Sequence, residues 1–97
     1  MEENGKKIKT FTVVLSGRVQ GVGFRYFAEE KAKDFGIKGY VKNTFDNKVE
    51  VVCQGREPGI GLFISQIKKG PAFSRVTDAS IQEVSGCEEF GSFGIRF

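Results

Sequence analysis

The sequence has no histidine, and that gap excludes more chemistry than any other feature of its composition. Ser-His and Cys-His nucleophile pairs, imidazole acid–base catalysis and most zinc sites all need the missing ring. Cysteine is scarce too. Cys53 and Cys87 stand alone, without C-x-x-C spacing, and pair only if the fold brings them together. Two free thiols are expected, Cys53 acting as a small hydrophobe within a strand, and neither has an imidazole to activate it. No acidic cluster shows metal-ligand spacing, so no metal is expected. Long apolar runs are also missing. Stretches such as Phe11-Thr12-Val13-Val14-Leu15 are far too short to span a bilayer, so no membrane segment is expected. The opening Met1-Glu2-Glu3-Asn4-Gly5-Lys6-Lys7 mixes both charge signs with no apolar h-region behind it, which argues against secretion and for a cytoplasmic location.

Nor is there a block of one charge. Fifteen Lys and Arg stand against twelve Asp and Glu, scattered along the chain for a net charge of +3. That balance suits an anionic ligand weakly and solubility equally well. The 97 residues accommodate one domain with a modest core. With no exposed apolar seam evident, a monomer is the simplest expectation.

Residues 1–9 read as a loose tail and 10–97 as the domain. From Thr10 to Val19 the chain alternates, Phe11, Val13 and Leu15 sharing one face, as a half-buried strand does. Phe24, Phe27, Ala28, Ala32 and Phe35 then recur at helical spacing, and Gly36 ends that helix. Residues 37–43 and 48–54 form a hairpin around Asp46-Asn47. Ile60, Phe63, Ile64 and Ile67 give a second amphipathic helix, stopped by Lys68-Lys69-Gly70-Pro71. Val76 to Val84 is strand-like, and Phe93, Ile95 and Phe97 alternate at the end. The order βαββαβ plus a short terminal strand predicts an α+β, ferredoxin-like split βαβ sandwich: an antiparallel sheet with two helices on one face.

Between the first strand and first helix lies Gly17-Arg18-Val19-Gln20-Gly21-Val22-Gly23-Phe24-Arg25. A glycine-bearing turn opening a helix presents several N–H groups and a positive dipole, and Arg25 on the first turn adds a guanidinium suited to phosphate oxygens. The residues alone leave two readings open, an anion site or a plain tight turn with a solvated arginine. The segment matches neither G-x-x-x-x-G-K-[ST] nor a full G-x-G-x-x-G, so it offers little to a nucleotide.

This segment resembles the G-x-V-Q-G-V-x-F-R signature of acylphosphatases. Gly39-Tyr40-Val41-Lys42-Asn43-Thr44-Phe45-Asp46-Asn47-Lys48-Val49-Glu50 is similar to the family's G-W/Y-V-x-N-x-x-D-G-x-V-E element, in the right order and spacing. Gly70-Pro71 through Val76 and the terminal Phe93-Gly94-Ile95-Arg96-Phe97 extend the likeness to about residues 10–97. Asn47 departs from the usual glycine, a position where asparagine tolerates left-handed backbone.

The resemblance implies hydrolysis of small acyl phosphates to carboxylate and phosphate, without metal or cofactor. Arg25 would bind phosphate together with the backbone N–H groups of Gln20, Gly21, Val22, Gly23, Phe24 and Arg25. Asn43 would hold the attacking water, although on the residues alone it serves equally as a turn cap. Thr44 would steady Asn43 or simply face solvent. Inorganic phosphate or sulfate would act as inhibitors. Two rivals use the same fold. An RNA-binding module needs aromatics on the central strands, and 48–54 has none; no nucleic-acid partner is expected. A silent anion-binding domain would not need both Arg25 and Asn43.

Overall fold

The computed structural model describes residues 7–97. It contains β1 (Lys9–Arg18), α1 (Phe24–Phe35), β2 (Lys38–Asn43), β3 (Val49–Gly55), α2 (Gly59–Lys69), β4 (Arg75–Val84) and β5 (Phe93–Arg96). β1 starts at Lys9, one residue into the expected tail, and residues 1–6 of that tail lie outside the described residues. The five strands form one sheet in the order β4-β1-β3-β2-β5. This is the split βαβ arrangement: β3 lies between β1 and β2, while β1 lies between β3 and β4.

The four longer strands pair antiparallel, as expected, but β5 joins β2 in parallel, making the sheet mixed. The cause is the route of the chain. β4 occupies one edge and ends level with the start of β2, so the segment after it must cross that end of the sheet to reach the opposite edge. It then runs alongside β2 in the same direction. Gln54 anchors the crossing: its amide donates to Thr10 Oγ1 and Glu88 O, both at 3.0 Å, and accepts the Phe90 N–H at 2.9 Å.

Both helices cover one face, and period-2 and period-3.6 patterns meet there. Val13 and Leu15 of β1, Val41 of β2 and Val49, Val51 and Cys53 of β3 are fully buried against Phe24, Ala28 and Ala32 of α1 and Ile60, Phe63 and Ile67 of α2. Phe11, Phe27, Phe35 and Ile64 pack at the margin of this core. Gly36 closes α1 in left-handed backbone at φ 69°, and the Ile37 N–H reaches back to Ala32 O at 2.8 Å, a C-terminal cap that satisfies a helix carbonyl.

One consequence of the topology positions everything that follows. β1, β2 and β5 run in the same direction, so Arg18, Asn43 and Arg96 finish at one end of the sheet. The N-terminus of α1 begins at that end as well, since it follows β1 by only five residues.

Candidate active site

The β1–α1 connection is held at both ends by side chains in the core. Val19 is 1% and Phe24 2% exposed, so the backbone between them has nowhere to go but outward. Gly21 at φ 75° and Gly23 at φ 79° supply the left-handed turns that L side chains resist. Gly23 is the N-cap of α1 and provides no side-chain cap, and the first turn carries no acid. The first N–H groups of the helix therefore keep their unmet donor capacity and the positive end of the dipole.

Opposite this helix end lies Asn43, the last residue of β2. Val19, Gly21, Gly23, Phe24, Arg25, Tyr26 and Asn43 enclose a cavity of about 110 Å³. That is several times the ~30 Å³ share of one water in the liquid, and well below the ~300 Å³ at which drug-sized pockets begin. It suits a small oxyanion. Arg25 and Asn43, 18 positions apart in sequence (43 − 25), thus face one space. Both are half-buried.

The Arg25 guanidinium rests 4.7 Å from the centroid of the Phe97 ring. Stacking on an aromatic face restrains a side chain that would otherwise sample many rotamers, and leaves its N–H edge free for an anion. The alternation of Phe93, Ile95 and Phe97 predicts a terminal strand that runs to the last residue. Instead pairing with β2 ends at Arg96, and Phe97 lies beyond it, 95% exposed. Together with Lys42, Asn43, Thr44, Phe45 and Glu50 it lines a second, open cleft that shares Asn43 with the first.

The remaining residues of the motif divide. Val22 packs at the edge of the core, and the side chain of Gln20 turns away from the cavity to donate to Thr44 O at 3.0 Å and Lys48 O at 2.8 Å. The Thr44 hydroxyl donates to Asp46 and accepts the Lys48 N–H at 3.0 Å, while the Thr44 N–H donates to Lys48 O at 2.9 Å. These bonds tie the turn after Asn43 rather than the Asn43 amide. Asn47 completes that turn at φ 66°, the left-handed conformation expected of it. The Thr44 hydroxyl first, then the Asp46 backbone N–H and Lys48 at 3.7 Å, hold the Asp46 carboxyl below its ordinary range. Asp46 is a carboxylate fixed in a turn and unsuited to act as an acid near neutrality. Among the described residues, no group of three or more cysteine or acidic side chains is gathered to hold a metal ion.

Sequence reasoning missed three contributors: Tyr26 in the cavity wall, Phe97 against Arg25, and the Gln20 side chain. Tyr26 had a signal, since it follows Arg25 on the first helical turn. The other two are contacts across long stretches of sequence and left none.

A five-stranded split βαβ sheet with two helices on one face places this chain in the ferredoxin-like α+β class. The acylphosphatase family model matches residues 11–95. An acylphosphatase of Bacillus licheniformis is 38% identical over 87 residues, spanning 90% of this chain and 97% of that protein. The crystal structure of acylphosphatase from Bacillus subtilis superposes with a TM-score of 0.88 at 37% identity, covering 94% of this chain and all of that one. An acylphosphatase from Coxiella burnetii gives the same TM-score at 30% identity, with 99% of this chain covered and all of the other. The chain belongs to the acylphosphatase family, and its enzymatic class is that of an acyl phosphate hydrolase.

Proposed function

We propose that this chain hydrolyses the carboxyl–phosphate bond of small acyl phosphates with Arg25 and the amides of residues 20–25 holding the phosphoryl group and Asn43 holding the water. The observation that carries this assignment is the shared cavity: a guanidinium, a set of turn and helix N–H groups and a strand-end amide around a space of oxyanion size. Phosphoryl transfer spreads negative charge over the equatorial oxygens, where preorganised donors act best. Water attacks phosphorus in line. The new P–O bond forms as the bond to the acyl oxygen breaks, and that oxygen leaves with its electron pair as a carboxylate. A carboxylate is a good leaving group and needs no acid, which fits a chain without histidine.

Asn43 is no base. It orients the water through its amide, and a phosphate oxygen of the substrate accepts the proton. As assigned, the reaction uses no metal and no cofactor. We further assign a monomer acting in the cytoplasm. Among the described residues no helix is long and apolar enough to cross a membrane. Inorganic phosphate and sulfate compete for the cavity as inhibitors. No nucleic-acid partner is assigned: the Tyr40 ring of β2 is already engaged by the Arg96 guanidinium at 3.8 Å and by Phe90 in an edge-on contact.

The two site residues separate in a benzoyl phosphate assay. Arg25→Lys keeps the charge and loses the planar fork, so phosphate affinity and turnover fall together. Asn43→Ala leaves phosphate affinity near that of the unmodified enzyme and lowers kcat by about 10²-fold. A folded Asn43→Ala enzyme with unchanged kcat would remove the residue from the mechanism.

A further inference from the structure

The geometry points to Gln20 as a positioning residue that sets Asn43 against the phosphate cradle; this rests on the water-holding reading of Asn43. Gln20 belongs to the connection that contributes Val19, Gly21 and Gly23 to the cavity wall, yet its own side-chain amide spans to the β2–β3 turn. Nε2 has two N–H groups, and both are used: one on Thr44 O at 3.0 Å, the other on Lys48 O at 2.8 Å. Thr44 is the residue immediately after Asn43. Lys48 O also receives the Thr44 N–H at 2.9 Å, so the two carbonyls that Gln20 grips are already tied to one another. The brace therefore seizes the turn as a unit.

The segments joined in this way lie 24 and 28 residues apart in sequence. One bears the phosphate amides, the other the asparagine. Core packing fixes Val19 on one side and Val49 on the other, both buried, but Asn43 and the turn after it lie outside that core and are at most half-buried. Gln20 supplies a direct polar link between the two halves of the site at the height where the reaction occurs. In-line attack depends on the distance and angle between water and phosphorus, and small misplacements are expensive in rate. Losing the brace lets Asn43 drift with its turn while the cradle, whose glycines and buried flanks are untouched, still binds phosphate.

The test is a kinetic double-mutant cycle with benzoyl phosphate, with inorganic phosphate as the competing anion. Gln20→Met keeps the length of the side chain and removes both donors. It is expected to lower kcat by about tenfold, with the inhibition constant of phosphate changed by less than about twofold. In the Asn43→Ala background the same change should alter kcat by less than about twofold, because a residue that acts through Asn43 has nothing left to position. Full multiplication of the two effects, or a parallel loss of phosphate affinity, overturns the proposal. Asn43→Ala with unchanged kcat overturns the water-holding reading itself, whereas Gln20→Met with unchanged kcat beside an impaired Asn43→Ala overturns only the brace.

Gln20→Glu keeps the test decisive if the methionine variant folds poorly. Its carboxylate faces two carbonyl oxygens with no proton to give, and protonation restores one donor. Its kcat, relative to unmodified enzyme at the same pH, should rise as pH falls through the pKa of the new acid. A flat ratio across that range counts against the brace, since a merely structural glutamine would leave no such limb in the profile.

Discussion

Two glycines, Gly17 within β1 and Gly21 in the β1–α1 connection, should respond to the same substitution in different ways. Gly17 sits where the β1–β4 register shifts, at φ 116°, and a Cβ there would meet Thr77 N at 2.9 Å and the Arg75 carbonyl oxygen closer still. Ordinary contact begins near 3.4 Å, so β1 and β4 must part. Backbone held outside its allowed region contributes about 1–3 kcal/mol of strain. One or two loosened ladder bonds add about 1 kcal/mol each. Gly17→Ala is therefore expected to destabilise by about 2–5 kcal/mol. Gly21, at φ 75°, has open space around it, with nothing within 4 Å of where a Cβ would stand, and alanine there meets only the left-handed penalty of about 1–2 kcal/mol. Urea denaturation at constant m-value should separate the variants by about 2 kcal/mol, a Tm gap on the order of 8–16 °C for a domain of this size. Activity should order them differently, because Gly21→Ala disturbs the proposed cradle while remaining largely folded. Equal losses of stability would refute the argument that close approach, rather than backbone conformation alone, makes Gly17 indispensable.

Exhaustive EDTA treatment should leave benzoyl phosphate hydrolysis intact; activity lost and then restored by magnesium or zinc would require a different mechanism. Burial pushes the Cys53 thiol from its ordinary 9.0 up to about 12. The unfolded chain ionises first, so this stabilisation is complete below pH 9 and is lost as pH rises from 9 toward 12, a slope that Cys53→Ala should remove from stability measured across that range. Under native conditions the half-exposed Cys87 should react with a thiol reagent well before the buried Cys53, and equal rates would contradict the burial. Replacing Gln54 by leucine removes three hydrogen bonds from a side chain that is 5% exposed, and should destabilise by about 2–3 kcal/mol. Hydrogen exchange at residues 88–93 should accelerate with it, since that amide holds the crossing segment.

The sequence by itself determined the elements and the glycine-bearing motif before α1, because both are written in local spacing. Phe24, Ala28 and Ala32 mark one helical face and Val13 and Leu15 one strand face whatever the rest of the chain does. Glycines before a helix start and Asn47 at a left-handed turn are likewise local requirements of backbone conformation. Only the tertiary structure decided what crosses between segments. The parallel pairing of β5 follows from which end of the sheet β4 leaves the chain, and no pattern within Phe93–Arg96 encodes it. The seating of Arg25 on Phe97, the meeting of Arg25 with Asn43 and the grip of Gln20 on Thr44 and Lys48 depend equally on strand direction. Side-chain periodicity records which face is buried. It holds no information about which distant residue arrives at the same end of the sheet, and the parallel courses of β1, β2 and β5 settle that here.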